Sequence, residues 1–478
     1  MKVVVAVDSF KGSMTSMEAG TAVKSGILAA HPDAEGIVRP LADGGEGTTD
    51  ALTEGLNGKR INLTVTGPMG EPVDAYYGYL EDTNTAVMEM ASAAGITISD
   101  HADPMKATTF GVGEMILHAI DNGIRNFIIG IGGSATSDGG IGMLKALGFT
   151  FLDRDGNDVG EGGQALAKIS SVRSSDKQEL LAQCCFQIAC DVTNPLCGPQ
   201  GATYIYGPQK GVTEEMAPVL DAGMKNYAEV TASLTGKDHS PAEGAGAAGG
   251  LGFAFLSYLN GQLTPGIQLI LNAVHLEDEM KDADIVVTGE GRLDHQTAMG
   301  KAPVGVAKLG KKYGAKTIAF AGSVTKDAVA CNQAGIDAFF PIVRGITTLE
   351  EAMDTETAKY NMRSCAEQVF RLIRKNTGQD VVRPYRVIRQ KHPRNDLLLF
   401  PLLVLLGIHI GLERKNLAFR IHIEGHRHSH FCPTELFLDQ SGIKQILIKI
   451  KERSNHVGFL LSYNQSDPVQ FESFGTWR

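Results

Sequence analysis

The chain is poor in the features that bind nucleic acid or span membranes. Among 478 residues there is one Trp, aromatics make up 6%, and 54 Asp+Glu outnumber 44 Lys+Arg for a formal charge of −10. A nucleic-acid binder is expected to carry a basic surface, so that class is set aside. Long apolar runs are scarce too. The stretch from Leu397 to Leu412 spans only 16 residues and is broken by Pro401, Gly407 and His409. A spanning helix needs about 20, so no stable membrane insertion is expected. The apolar run Val3–Val7 stops at Asp8. That is shorter than the roughly 7–15 residues of a signal peptide's apolar region, and it reads as a buried strand. The seven Cys (184, 185, 190, 197, 331, 365 and 432) are odd in number and match no zinc or redox spacing. Buried free thiols in a reducing cytosol are expected.

What the chain has in excess is glycine. It holds 56 Gly, well above the usual level of about 7%, with no collagen period. The excess is unevenly spread. Asp380 to Arg478 carries only 6 Gly but 7 of the 13 His, and a charge of +5; the first 379 residues carry −15. Two compositions are joined near Thr377-Gly378-Gln379.

In the first 379 residues short apolar runs alternate with helix-like patterns. Lys2–Val7 precedes Asp8-Ser9-Phe10-Lys11-Gly12-Ser13, and Ile37–Ala42 precedes Asp43-Gly44-Gly45-Glu46-Gly47-Thr48. Phe127–Ile131 precedes a glycine turn from Gly132 to Gly140, and Phe186–Cys190 precedes Asp191. Ile285–Thr288 precedes Gly289-Glu290-Gly291-Arg292-Leu293-Asp294, and Thr317–Phe320 precedes Ala321-Gly322-Ser323. Thr15-Ser16-Met17-Glu18 fits a capping box. Strands apolar on both faces and alternating with helices predict a parallel α/β fold. Ligands of such folds bind beyond the carboxyl ends of strands, where these glycines and acids sit.

Glycine turns at strand ends offer backbone N–H groups to phosphate. The candidates are Gly44–Gly47, Gly132–Gly140, Gly244–Gly250 and Gly289–Gly291. The carboxylates Asp8, Asp43, Glu46, Asp138, Asp191, Glu290 and Asp294 share those ends. Charges are seldom buried unpaired. Mg²⁺ with a nucleotide would satisfy them, and Lys11, Lys210, Arg292 and Lys301 would offset phosphate charge. For Asp138 a helix cap is the plainer expectation. No P-loop is present, because Gly300-Lys301 is followed by Ala302. Gly130-Ile131-Gly132-Gly133-Ser134-Ala135, with Asp153 some 20 residues on, fits a dinucleotide fingerprint. An NAD(P)-dependent oxidoreductase is therefore the alternative reading.

The glycine- and acid-rich segments named above, taken with Thr66-Gly67-Pro68-Met69-Gly70, Glu89-Met90-Ala91, Cys190-Asp191-Val192-Thr193-Asn194-Pro195-Leu196 and Gly207-Pro208-Gln209-Lys210-Gly211, resemble the bacterial type I glycerate kinases. They run in family order from residue 1 to about 375; Ser137 stands where relatives often have Asn. The resemblance implies ATP-dependent phosphorylation of D-glycerate to 2-phosphoglycerate, in the cytoplasm. It implies a discontinuous flavodoxin-like domain (1–65 plus 285–379), an inserted α/β domain (66–284) and a cleft between them. Asp191, Asp8 and Lys11 are then the catalytic candidates. Ser9, Gly44, Gly45, Gly132, Gly133, Ser134, Lys210, Gly289 and Arg292 are candidates for substrate and phosphate. Asp43, Glu46, Glu290 and Asp294 are candidates for Mg²⁺. The oligomeric state, a homodimer among the options, stays open.

Residues 380–478 lie outside the resemblance. Their His422, His426, His428, His430 and Cys432 are metal-ligand types, too crowded for one tetrahedral site. The abrupt change of composition is what an altered reading frame would give; that reading ranks first for this unassigned extension, ahead of a disordered segment, an appended domain or a metal site.

Overall fold

Val3, Val4 and Val5 are β-branched and fully buried. Such a run suits a strand covered on both faces. In the computed structural model it forms β1 (Lys2–Val5), inside a five-stranded sheet with β2 (Glu35–Val38), β11 (Ile285–Leu293), β12 (Lys316–Val324) and β13 (Ala338–Pro341). The order is β13-β12-β11-β1-β2 and every pairing is parallel. The structure describes residues 1–98 and 103–373, and beyond them the backbone of six strands between 408 and 477.

A second sheet of six strands comes from the middle of the chain. It contains β3 (Lys59–Thr66), β4 (Pro72–Leu80), β5 (Thr85–Glu89), β6 (Asn126–Gly130), β9 (Cys185–Ala189) and β10 (Gln262–Thr264), in the order β10-β9-β6-β5-β4-β3. From β5 to β10 the pairings are parallel; β3 and β4 add an antiparallel hairpin at one edge. β7 (Thr150–Leu152) and β8 (Ser171–Arg173) form a separate antiparallel pair. The protein is thus mixed α/β, with two sheets in the unit Met1–Asn376.

Helix α1 (Ser16–Ala30) packs one face of the first sheet. Its capping box is present: the Thr15 hydroxyl accepts from the Glu18 N–H, and Glu18 accepts from the Thr15 N–H. Ala19, Val23 and Ile27 are fully buried against helix Thr355–Leu372 and its Met362, Ala366 and Phe370. The other face shares a core with the second sheet: Val4 and Val286 cluster with Val87, Ile128 and Ala189. The second sheet has its own larger core around Phe127, Phe186, Phe255 and Tyr227.

Two strands run further than their sequence suggests. Gly289-Glu290-Gly291 reads as a turn, yet β11 continues through it to Leu293, and β12 through Gly322 to Val324. A Cβ at Gly289 would lie 2.1 Å from the Phe320 carbonyl oxygen, and one at Gly322 would lie 2.6 Å from that of Gly291. These glycines let neighbouring backbones close up inside the sheet.

The unit Thr377–Arg478 is described only by strands. β14 (Ile408–Leu412) pairs antiparallel with β15 (Phe419–Ile423). β16 (Glu435–Leu438), β17 (Lys444–Glu452), β18 (Asn455–Asn464) and β19 (Asp467–Trp477) form an antiparallel meander. His422 falls in β15, with its side chain not described. His426, His428, His430, Cys432 and residues 397–407 lie outside the described residues. Among the described residues no helix is long and apolar enough to cross a membrane.

Candidate functional site

In the first sheet the chain moves from β1 to β2 in one direction and from β11 to β13 in the other. The crevice beyond the carboxyl ends of β1 and β11 is therefore a topological switch point, the usual ligand position in open α/β sheets. Asp8 follows β1, and Glu290 sits in the late part of β11. The loops after β5, β6, β9 and β10 come from the second sheet. Two pockets form here. One, about 260 Å³, is lined by Asp43, Gly44, Gly45, Gly132, Gly133, Ser134, Asp191 and Lys210. The other, about 540 Å³, is lined by Asp43, Asp191, Val192, Ile267, Met299, Gly300 and Lys301. Asp43 and Asp191 belong to both.

Asp43 is held by its own loop, where the Gly45 N–H donates to Oδ1 at 2.9 Å. Gly44 has φ +87°, and a Cβ there would lie 2.7 Å from the Gly266 Cα and 2.9 Å from the Ala189 Cβ. Only glycine lets this loop press so close to the second sheet. The Asp191 Oδ1 accepts the Gly266 N–H at 2.8 Å, at the start of helix Gly266–Ala273. Burial, and the like charge of Asp43, raise the Asp191 carboxyl above the ordinary Asp range against the effect of that bond.

Asp8 is pushed up to about 7 by burial and by Asp43 and Glu290. The Ser9 N–H donates to it at 2.6 Å, the one site bond made by Ser9. Glu290 is likewise raised by burial, and the Thr297 hydroxyl donates to it at 2.5 Å. Asp8, Asp43 and Glu290 thus crowd negative charge into one place, which a divalent cation shared with phosphates would relieve. Mg²⁺ at a nucleotide needs only one or two protein carboxylates, so these residues fit it. The four Mg²⁺ candidates do not stand together as one ligand set, and no group of three or more His, Cys, Asp or Glu among the described residues does. Glu46 faces solvent. Asp294 caps helix His295–Ala298, accepting from the Gln296 and Thr297 N–H groups, with Arg292 3.8 Å from its other oxygen. Gly289 is spent on strand packing, and Lys11 and Arg292 are exposed outside both pockets.

Lys210 is only 5% exposed. Its ammonium donates to the Ser134 hydroxyl and to the Thr136 carbonyl, each at 2.6 Å. Burial lowers it to about 7, against the attraction of Asp138. Asp138 is fully buried and accepts from the Thr109 N–H and hydroxyl and from the Gly140 and Gly142 N–H groups, so it is a structural cap. Gly249 packs its Cα face onto the Thr136 carbonyl, so the Gly244–Gly250 run buttresses the 132–136 loop.

The sequence gives no role to Glu89. At the end of β5 it accepts the N–H groups of Gly47 and Thr49, at 3.3 and 2.8 Å. It thereby holds the start of helix α2 (Thr48–Gly55), which follows the Asp43 loop. The sequence signals are an acid at a strand end and its place in the Glu89-Met90-Ala91 segment of the resemblance.

The dinucleotide fingerprint fails on geometry. Such a turn leads straight into a helix whose N-terminus meets the pyrophosphate. Here the helix after β6 starts at Ile141, and Asp138 takes its first N–H groups. Asp153 bonds the N–H groups of Asp155 and Asn157 in its own turn.

Comparison with known proteins agrees with the kinase resemblance and lends no support to the oxidoreductase reading. The model of the glycerate kinase family matches residues 3–374. A glycerate kinase of Bacillus subtilis (strain 168) is 46% identical over 369 residues, covering 77% of this chain and 96% of the relative. A glycerate 2-kinase of Escherichia coli (strain K12) is 44% identical over 354 residues, covering 74% and 93%. A crystal structure of a protein assigned as glycerate kinase 2 from Salmonella typhimurium LT2 superposes with TM-score 0.72 at 44% identity, covering 78% of this chain and 98% of that one.

Proposed function

The chain belongs to the glycerate kinase family, and from that premise we propose that it transfers the γ-phosphoryl group of ATP to the 2-hydroxyl of D-glycerate, giving 2-phosphoglycerate and ADP. The observation that carries the site assignment is the meeting of two pockets at Asp43 and Asp191. Two substrates must converge on one point for direct transfer, and these carboxylates mark it.

Asp191 is the proton acceptor in this reading. Gly266 fixes one of its oxygens, leaving the other for the substrate hydroxyl. As the hydroxyl oxygen bonds to the γ-phosphorus, its proton passes to Asp191. The bond from phosphorus to the bridging oxygen breaks, and its electron pair leaves on ADP. Asp8 lines neither pocket and stands behind Asp43 as a neighbouring charge. Phosphoryl transfer depends mainly on positioning and on neutralising charge. Mg²⁺ bound with the nucleotide supplies part of that neutralisation, and Asp43 or Glu290 would hold it, directly or through water. Lys210 fixes the Ser134 side of the cleft through its two bonds.

The E. coli relative, by its name a 2-kinase, supports the regiochemistry. The six described cysteines are free, in keeping with a reducing cytoplasm, but against the expectation of buried thiols only Cys331 is buried and Cys185 is exposed. We read the body as two lobes, one around each sheet, with the cleft between them. A phosphorus NMR spectrum of the product from D-glycerate, ATP and Mg²⁺ tests the activity. A 2-phosphoglycerate resonance is expected; a 3-phosphoglycerate resonance would overturn the regiochemistry, and no phosphoglycerate would overturn the reaction.

A further inference from the structure

The two pockets differ in size and in chemistry. Small-molecule sites for ligands of drug or nucleotide size occupy about 300–1,000 Å³. The pocket bounded by residues 296–302 has about 540 Å³, inside that range. The pocket at the glycine loop has about 260 Å³, below it.

The larger pocket presents Leu263, Ile267 and Met299 as an apolar wall, shares Val192 with the smaller one, and is also lined by Glu243. Met299 is 77% exposed, a large side chain left mostly uncovered by the described residues. Beside this wall stands Lys301, at the N-terminal end of helix Ala302–Lys312, whose first turn receives no side-chain cap. An apolar surface next to a cation suits a purine with a charged phosphate tail.

The smaller pocket presents donors. Gly132 and Gly133 are exposed in the loop, and a Cβ at Gly132 would meet nothing closer than the Gly45 Cα at 4.0 Å. The Ser134 hydroxyl accepts from Lys210, which leaves its own proton to donate. Lys210 itself is nine-tenths buried and lines the pocket. Backbone N–H groups, a hydroxyl and an ammonium suit a carboxylate on a small molecule.

We infer that the pockets divide the two substrates at Asp43 and Asp191. The nucleotide lies in the pocket of Met299 and Lys301 with its triphosphate toward Lys301, and glycerate lies in the pocket of Gly132, Ser134 and Lys210 with its carboxylate on the glycine loop. This inference rests on the kinase reading. It reverses the ordinary expectation that a glycine turn cradles nucleotide phosphate, because size and the exposed Met299 edge favour the other pocket. It also fits in-line transfer, which puts the attacking hydroxyl and the departing ADP oxygen on opposed sides of the phosphorus.

Two variants test it. Gly132→Ala adds one methyl that the fold accommodates but that intrudes on the glycine-loop pocket. Lys301→Ala removes the cation from the other. The KM for each substrate is read by steady-state kinetics, and the ADP affinity of each variant by calorimetry, with thermal unfolding as the control. Lys301→Ala is expected to raise the KM for ATP and weaken ADP binding about tenfold, the loss of one charge-assisted hydrogen bond, with the KM for glycerate held within about twofold. Gly132→Ala is expected to raise the KM for glycerate about tenfold and leave ADP binding unchanged. Should Gly132→Ala fail to fold, Ser134→Ala takes its place with the same expectation. The reverse pattern, or both variants weakening ADP, overturns the division. Failure of the kinase reading is distinct, since it shows as no phosphoglycerate from the unaltered protein, while ADP calorimetry still locates the nucleotide.

Discussion

Asp191 and Asp8 are both raised carboxylates, but they predict different things. Asp191 reaches the cleft, so Asp191→Asn should keep substrate binding and cut turnover by about 10²–10⁴, the usual contribution of a general base. Steady-state kinetics checks this; turnover near that of the unaltered protein removes Asp191 from the mechanism. Asp8 predicts a stability effect. Its carboxyl is pushed from 3.8 to about 7 in the folded protein, so the folded state holds the proton more tightly than the unfolded chain. Stability from this group is then undiminished at low pH and falls as pH rises from about 4 through about 7. Asp8→Asn should stabilise the protein by roughly 2 kcal/mol at pH 8, and the gain should vanish near pH 4. Denaturant unfolding at both pH values reads it, and a gain equal at both would contradict the charge explanation. At this scale the sequence marks the acids as a group and sets only Asp138 apart, as the plainer helix cap. Asp43, Asp138 and Asp294 all precede helices, yet Asp43 opens on the cleft, Asp138 is sealed among four donors and Asp294 caps a single turn. The difference lies in partners far along the chain, such as Thr109 for Asp138 and Gly266 for Asp191.

Among the elements, α1 and helix Thr355–Leu372 show how close packing depends on one glycine. A Cβ at Gly26 would lie 2.3 Å from the Arg363 carbonyl oxygen. Gly26→Ala should therefore lower stability by about 1–3 kcal/mol through overpacking. Thr15→Ala, which removes the capping box of the same helix, should cost about 1 kcal/mol. Thermal or denaturant unfolding of the two variants gives the ranking, and a Gly26→Ala protein as stable as the parent would show that the helices can separate freely. Strands β1 and β6 were legible because each is an apolar run buried on both faces, and β9 because Phe186, Ile188 and Ala189 are buried beside exposed Cys185 and Gln187. The far ends of β11 and β12 were not, because glycine is rare in strands and Gly289-Glu290-Gly291 looks like a turn. What keeps it extended is the backbone of Phe320 pressing on it from another segment. The antiparallel hairpin β3–β4 was visible only as the motif Thr66-Gly67-Pro68-Met69-Gly70, with nothing local to say which sheet it joins.

For the whole molecule, the family match ends at residue 374, and the buried clusters described all fall within residues 3–370. A chain of residues 1–379 should express in soluble form, with kcat/KM within about twofold of the full chain, since every candidate site residue is retained. Insolubility or inactivity of that fragment would make residues 380–478 part of the working protein. The break in charge and glycine content near Thr377 was legible as arithmetic, whereas the strand pairings beyond it were not, because alternation such as Phe419-Arg420-Ile421-His422-Ile423 marks a strand without naming its partner.

The bonds from Glu89 to the start of α2 have a consequence for motion. They tie the loop that carries Asp43 to the end of β5, and the core behind them mixes side chains from both sheets. Opening the site like a jaw would mean stripping a half-buried carboxylate of its amide partners and splitting a continuous apolar layer. Substrates would instead enter past the exposed Met299 edge, into a mouth already set. On the proposed site, binding would then draw on this resting arrangement of the Asp43 loop and β5. The amides of Gly47 and Thr49 should accordingly exchange with solvent as slowly as those of β5 itself, with or without nucleotide.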